Sequence, residues 1–254
     1  MDRRETIYIA GVAPDCRAQA LRWGLGVESD LFCTAANLED PESIRLEAAL
    51  VQGIPRRIVH GPFNELCPAA IDPMVRQVTR LRYEQALAMA RRMGTGRLVL
   101  HSGYIPLIYF PEWFIEQSAA FWREFLQDKP ADTELLLENV LEDDPGLTLD
   151  IVRRVDDPRL RLCLDVGHAN CQTKEHSVED WVRQWAPYLA HTHLHNNDGS
   201  WDTHAPLGEG SIPMEHILEL LAELAPRATW TLETRTAAES CRWLAERHWI
   251  GESI

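Results

Sequence analysis

Short runs of aliphatic and β-branched residues alternate along the chain with amphipathic stretches of ten to twenty residues, the pattern of strands covered on both faces and helices covered on one. Eight runs read as strands: 6–12, 28–33, 56–60, 97–101, 134–140, 160–165, 189–195 and 229–233. Eight stretches read as helices, at about 15–24, 41–52, 74–93, 112–127, 146–155, 177–187, 213–224 and 236–247. Several of these open on Asp-Pro, Pro-Glu or Ser-Val-Glu-Asp, which suit a helix N-terminus. Eight strand–helix pairs in 254 residues predict an α/β fold closed as a (β/α)8 TIM barrel. A doubly wound open sheet is the alternative, but it calls for a Gly-rich first strand–helix turn, and GVAPDC at 11–16 is not one. No Gly/Ser-rich or Pro-rich linker divides the chain, so 1–254 is expected to be one domain.

Polar residues break this pattern at the strand ends. His60, His101, Glu138, Asp165, His193 and Glu233 close six different strands, and His168 follows Asp165 by three residues. A barrel of this kind builds its active site where strands end, so the six side chains are expected to converge. The stretch HTHLHNNDGSWDTHAPLGEG at 191–210 adds density: His191, His193 and His195 alternate on one strand face, and Asp198, Asp202 and His204 follow in a glycine-rich loop. Buried imidazoles and carboxylates are costly without a common partner, and a metal centre would supply one; a solvated, His-rich loop is the alternative. Imidazole and carboxylate without converging thiolates suit Zn, Mn, Fe or Co rather than Ca.

Composition narrows the partners. The net charge is −14, and the Arg-Arg pairs at 3–4, 56–57, 91–92 and 153–154 form no basic stripe, so a nucleic acid backbone is not the expected partner. The longest apolar runs are too short to span a bilayer and no apolar segment follows the MDRRET start, so the expectation is a cytoplasmic protein without a membrane anchor. The six cysteines show no CxxC pair and read as reduced, with Cys33 and Cys163 filling strand interiors. Lysine occurs only at Lys129 and Lys174, neither at a strand end, which argues against Schiff-base chemistry. Oligomeric state is not decided by these features.

Taken together, HGPF at 60–63, LHSGY at 100–104, LLLEN at 135–139, LDVGH at 164–168, HLHNNDG at 193–199, DTHAPLGEG at 202–210 and LET at 232–234 resemble the xylose-isomerase-like TIM-barrel superfamily across essentially the whole chain. That superfamily includes sugar epimerases, inosose dehydratases and abasic-site endonucleases. Resemblance to the epimerase branch implies one divalent metal on Glu138, Asp165, His193 and Glu233, with His168 binding substrate and the two glutamates moving a proton. The arginine which that branch places after the metal histidine is absent, with Gly199 near its position; Arg235 is a substitute, and Tyr104 is a further substrate-binding candidate in an aromatic loop with Tyr109, Phe110 and Trp113. Resemblance to the endonuclease branch implies three zinc ions, because His60, His101, His168, Asp202 and His204 join the four residues already named as counterparts of its nine ligands. The histidine and glycine-rich DNA-reading loop of that branch are missing after the first strand.

The expectation is therefore an enzyme with one to three divalent ions (Zn, Mn, Fe, Co or Mg) and a small carbohydrate or phosphoester substrate. A sugar or sugar-phosphate isomerase/epimerase, with Glu138, Glu233 and His168 as its catalytic residues, is the leading form, and a small-substrate phosphoesterase is the alternative. Asn139 and Asn170, beside ligand candidates, are expected to orient them, and Glu209 either does the same or marks a turn between two glycines.

Overall fold

A computed structural model describes residues 2–173 and 175–251. Eight parallel strands pair in sequence order and close into a barrel: β1 Ile7–Ala10, β2 Gly26–Ser29, β3 Arg57–His60, β4 Arg97–His101, β5 Glu134–Glu138, β6 Leu160–Asp165, β7 Leu189–Leu194 and β8 Thr229–Leu232. Helices surround them: α1 Cys16–Trp23, α2 Pro41–Leu50, α3 Pro73–Arg92, α4 Pro111–Leu126 and α5 Pro145–Val155, then α6 Val166–Gln172, α7 Val178–Trp185, α8 Met214–Leu224 and α9 Ala237–Glu246. The expected TIM barrel is what the chain forms. Proline at the first position of α2, α3 and α5 follows an aspartate whose carboxylate accepts backbone N–H bonds, the cap that those Asp-Pro pairs predict.

Two elements depart from the sequence reading. The second strand is Gly26–Ser29 rather than 28–33, and Leu31–Cys33 forms a 3-10 turn, closed by Cys33 N–H donating to the Asp30 carbonyl at 2.9 Å. Its span is set by its four-residue neighbour, which pairs Tyr8 with Gly26 and Ala10 with Glu28, and not by the apolar run that follows. Cys33 therefore does not fill a strand interior, whereas Cys163 does. Helix α6 was not legible because it starts directly on the last residue of β6 and lasts seven residues. Lys174 lies outside the described residues; Lys129 pairs with Asp128 and Glu84, away from the strand ends.

The core has two parts. Between barrel and helices lie Trp122, Trp181, Trp185 and Trp230, all fully buried. Inside the barrel Tyr8, Ile58, Val99, Leu136 and Cys163 form a small apolar plug. Side chains two apart on a strand share a face, so Ile58 leads to His60, Val99 to His101, Leu136 to Glu138 and Cys163 to Asp165. The plug thus becomes the floor beneath a polar cluster. No described helix is long and apolar enough to cross a membrane.

Candidate metal centre

Barrel register sets the inner half of the cluster. His101 pairs with Glu138 and Asp165 with His193 across neighbouring strands, which brings these side chains to one height. Glu138 is at the hub: Oε2 lies 3.1 Å from His60 Nε2 and 3.4 Å from His101 Nε2, while Oε1 lies 3.2 Å from His193 Nδ1 and 3.5 Å from His168 Nδ1. His193 Nδ1 also stands 3.0 Å from Glu233 Oε2 and 3.7 Å from Asp165 Oδ2.

The outer half hangs from loops. Asp165 caps α6 by accepting the His168 N–H at 2.7 Å, and this tight turn delivers His168 to the mouth of the barrel. Gly167 makes room for it: a Cβ there would fall 1.8 Å from Cε1 of His195, whose ring lies against that backbone. The loop carrying Asp202 and His204 is pinched at its neck by a two-way backbone bridge, Asn196 N to Ala205 O at 3.0 Å and the reverse at 2.9 Å. His204 takes the left-handed backbone region at φ 47, rare for a non-glycine residue. It is held there by its Nδ1 on the Glu233 carbonyl at 2.8 Å and by its own carbonyl, which accepts Arg235 N–H at 3.0 Å. Asp202 Oδ2 then sits 2.9 Å from His204 Nε2 and 3.3 Å from His168 Nε2.

Four histidines are each anchored through one ring nitrogen. His60 Nδ1 is 3.0 Å from the Gly61 carbonyl, His168 Nδ1 is 2.9 Å from the Asn139 carbonyl, His204 Nδ1 meets the Glu233 carbonyl, and His193 Nε2 is 3.0 Å from Glu28 Oε1. Each acceptor calls for an N–H on that nitrogen and leaves the other one as a lone-pair donor, which is how metal-binding imidazoles are oriented. The donor atoms collect into five groups whose members lie within 4.8 Å of one another: His60, His101 and Glu138; Glu138, Asp165, His193 and Glu233; His168, Asp202 and His204; His195, His204 and Glu233; and Cys163, His191 and His193, where a buried thiol does converge, against the expectation from the sequence. All nine candidates named from the sequence are in these groups. Three buried polar atoms at the same place, Glu233 Oε2, Asp202 Oδ1 and His195 Nδ1, make no hydrogen bond. Unsatisfied buried acceptors beside aligned imidazoles fit divalent cations.

Charges inside the cluster are strongly coupled. Burial works against ionising Glu138, but His193, His101 and His60 outweigh it and hold the carboxyl well below the usual range. Burial likewise opposes Asp165, which His168 and His195 nevertheless bring down to about 2. Burial disfavours protonated His168, yet Asp165, Asp202 and Glu138 raise it to about 10; His204, beside Asp202 and Glu233, rises to about 9 against the same penalty. For His101 burial wins and pushes the imidazole down to about 3 despite Glu138.

Several further residues contribute, of which only His191 and His195 stand out in the sequence. Glu28 on β2 is buried and accepts from His191 and His193 at 3.0 Å each, with Thr231 Oγ1 also donating to it. His195 reaches Asp165 Oδ1 at 3.0 Å. Asp30, which burial raises to about 6, and Cys33 line the cavity above the cluster. The signal for Glu28, a polar residue near the end of a strand, emerges only with the observed bounds Gly26–Ser29, because over 28–33 it stands at the strand's start. Asn139 orients as expected, clasping the Asp165 backbone at 3.0 and 2.9 Å. Asn170 instead joins Asn197 and Ser211, while Asp198 and Glu209 turn to solvent. Arg235 is exposed at the cavity mouth and donates Nε–H to the Thr203 carbonyl at 2.6 Å. Tyr104 is buried edge-on against Phe114 and lines a separate cavity.

Residues 26–250 match the family model described as xylose isomerase-like TIM barrel. An uncharacterised protein of Methanocaldococcus jannaschii is 25% identical over 223 residues, covering 84% of this chain and 76% of that one. Among solved structures, a Thermus thermophilus protein soaked with zinc chloride is 27% identical with a TM-score of 0.73, covering 95% of this chain and 97% of that one. A D-tagatose 3-epimerase-like protein gives a TM-score of 0.77 at 22% identity over 95% and 96% of the two chains. D-psicose 3-epimerase of Clostridium cellulolyticum, solved with D-tagatose, gives 0.69 at 20% over 89% and 83%. At those identities the two epimerase likenesses speak for the fold.

Proposed function

The chain belongs to the xylose isomerase-like TIM-barrel family, and from that premise we propose that it is a divalent-metal-dependent hydrolase of small phosphoesters. The observation that carries this reading is the sharing of Glu138 between two donor groups while a third group stands at the mouth. An epimerase reading asks Glu138 to be a base on a sugar carbon. Here both of its oxygens face imidazole nitrogens and the side chain is 1% exposed, a setting that would suit a ligand to two ions. This reverses the order of the two functions expected from the sequence.

His60, His101 and Glu138 would hold one ion, Glu138, Asp165, His193 and Glu233 a second, and His168, Asp202 and His204 a third. Divalent ions at such a site activate water near neutral pH and neutralise charge growing on a phosphoester. The chain's own residues do the rest. Arg235, the only arginine or lysine among the described residues lining this cavity of about 590 Å3, reaches an anionic group at its mouth. Phe63, stacked on His101 with centroids 4.1 Å apart, shields one wall from water. Glu233, which lines the cavity, would accept a proton from a water there through the oxygen that does not face His193. The zinc-soaked relative supports zinc as the first ion to try.

A second reading, sugar epimerisation, is favoured by the group Glu138, Asp165, His193 and Glu233, complete by itself for one ion, and by the epimerase neighbours. Elemental analysis of protein purified without chelator, paired with assays of bis-p-nitrophenyl phosphate and ketohexoses, separates the two. Two or three ions per chain with phosphodiester turnover is the expected result. One exchangeable ion with ketohexose epimerisation and no phosphoester turnover would overturn it.

A further inference from the structure

A second cavity, of about 430 Å3, lies beside the metal-competent one and differs from it in chemistry. The two share Phe63 and His101, whose stacked rings, 9° from parallel, form the dividing wall. Beyond that wall the lining is apolar: Leu66, Ala70, Val75, Tyr104, Ile108 and Leu141 carry it. It is built from the loops after β3, β4 and β5, and the first two meet tightly: Gly103, at φ +75, has room for no Cβ, which would sit 3.0 Å from the Leu66 carbonyl oxygen. Among the described residues no arginine or lysine lines this cavity, and its only carboxylates are Glu65 and Asp72, so none of them would hold a phosphate or nucleotide. The rim is apolar as well, with Ile71 70% and Ile108 65% exposed, and Leu107 and Phe110 stand nearby in solvent. An apolar hollow with an apolar rim, opening beside polar reactive groups, is the form of a site for a ligand with two unlike ends.

We propose that this cavity seats an apolar group of the substrate whose reacting polar group lies over the metal-competent cluster, so that the natural substrate is amphipathic, a phosphoester carrying a hydrocarbon or aromatic portion. The inference rests on the proposed chemistry for the polar end, and on the shared Phe63–His101 wall for the connection. It accounts for an acidic protein that offers one arginine near the cluster and none beyond: the polar end is drawn by cations held on Glu138 and its neighbours, and the other end by water exclusion. Tyr104 thereby contacts the substrate's apolar end instead of a sugar.

Calorimetric titration of the zinc-loaded protein with ethyl-, butyl- and hexylphosphonate tests both ends. Full burial of a methylene is worth about 0.8 kcal/mol, close to fourfold in affinity, so affinity rises at least tenfold from ethyl to hexyl even with half that burial. Ile108→Ser, at an exposed position that the fold does not need, flattens the series, and Ala70→Phe, which fills the hollow, abolishes it; ethylphosphonate binding stays within about twofold in both. Affinity independent of chain length in the unaltered protein overturns the inference, as does chain-length dependence that survives both substitutions. A ligand-free dimer that Ile108→Ser dissociates, together with a flat series, assigns the surface to a second copy and also overturns it. The two readings fail differently. Ethylphosphonate that binds without tightening along the series removes the apolar seat alone. Hexylphosphonate that binds through the hollow while no phosphoester is turned over removes the hydrolase reading alone.

Discussion

His193 and His204 face the same cluster, but one is fixed by a strand inside the barrel and the other by a loop at its mouth. His193 is 1% exposed and held from both sides, by Glu28 on one nitrogen and by Glu138 and Glu233 on the other. His204 has a side chain 30% exposed, in a strained backbone conformation secured by two backbone hydrogen bonds. The inner half is therefore pre-organised by register and desolvation, whereas the outer half is pre-organised by a pinched loop. Inner positions should be intolerant of any change, and outer positions should fail one ion at a time.

The substitution expected to matter most falls in the inner half, because Glu138 belongs to both donor groups there. Glu138→Gln should abolish phosphoester turnover and weaken metal binding at both groups it belongs to; elemental analysis with kinetics checks it, and near-normal turnover would remove the shared role. Asp202→Ala should abolish phosphoester turnover while costing one ion and leaving the inner group loaded. Turnover that is only trimmed would mean that the inner half works alone, as in the epimerase reading.

Glu28→Gln sharpens the contrast from within. An amide can still meet His193, but it no longer favours the N–H on Nε2, so metal affinity at the inner group should fall on the order of 10- to 100-fold, read by chelator competition. The outer group should hold its ion as before.

The smallest effect is on stability against pH in chelator-treated protein. His168 and His204 are raised to about 10 and about 9, so the stability they contribute is complete below about 6.5, the unfolded-state value, and is lost as pH rises through 9 to 10. His101 and His191, which burial lowers to about 3 and about 4, act oppositely, costing stability as pH falls from about 6.5 toward those values. The melting temperature should peak near pH 6.5 without metal, and zinc should remove the alkaline decline because the ions replace those protons. An alkaline decline unchanged by zinc would separate the outer histidines from metal binding.

Much of this was legible in the chain. Hydrophobic period marked seven of the eight strands within about two residues, and the polar residue closing a strand marked His60, His101, Glu138, Asp165 and His193. Asp202 and His204 came from composition and resemblance, since nothing in their loop predicts the Asn196–Ala205 pinch that aims them. The second strand differs from the sequence reading because the apolar Leu31–Cys33 draws the expected strand toward it, whereas its extent is decided by pairing with β1. That difference concealed Glu28, whose partner His193 is 165 residues away.

By itself the sequence determined the fold class and the stock of metal-competent side chains, because both follow from local periodicity and residue type. The resemblance already implied a shared Glu138, whereas only the tertiary structure decided which nitrogen of each imidazole is anchored and that an apolar hollow opens across the Phe63–His101 wall. Those outcomes depend on barrel closure, which brings strand ends and loops far apart in the chain within a few ångströms, and no local pattern carries that information.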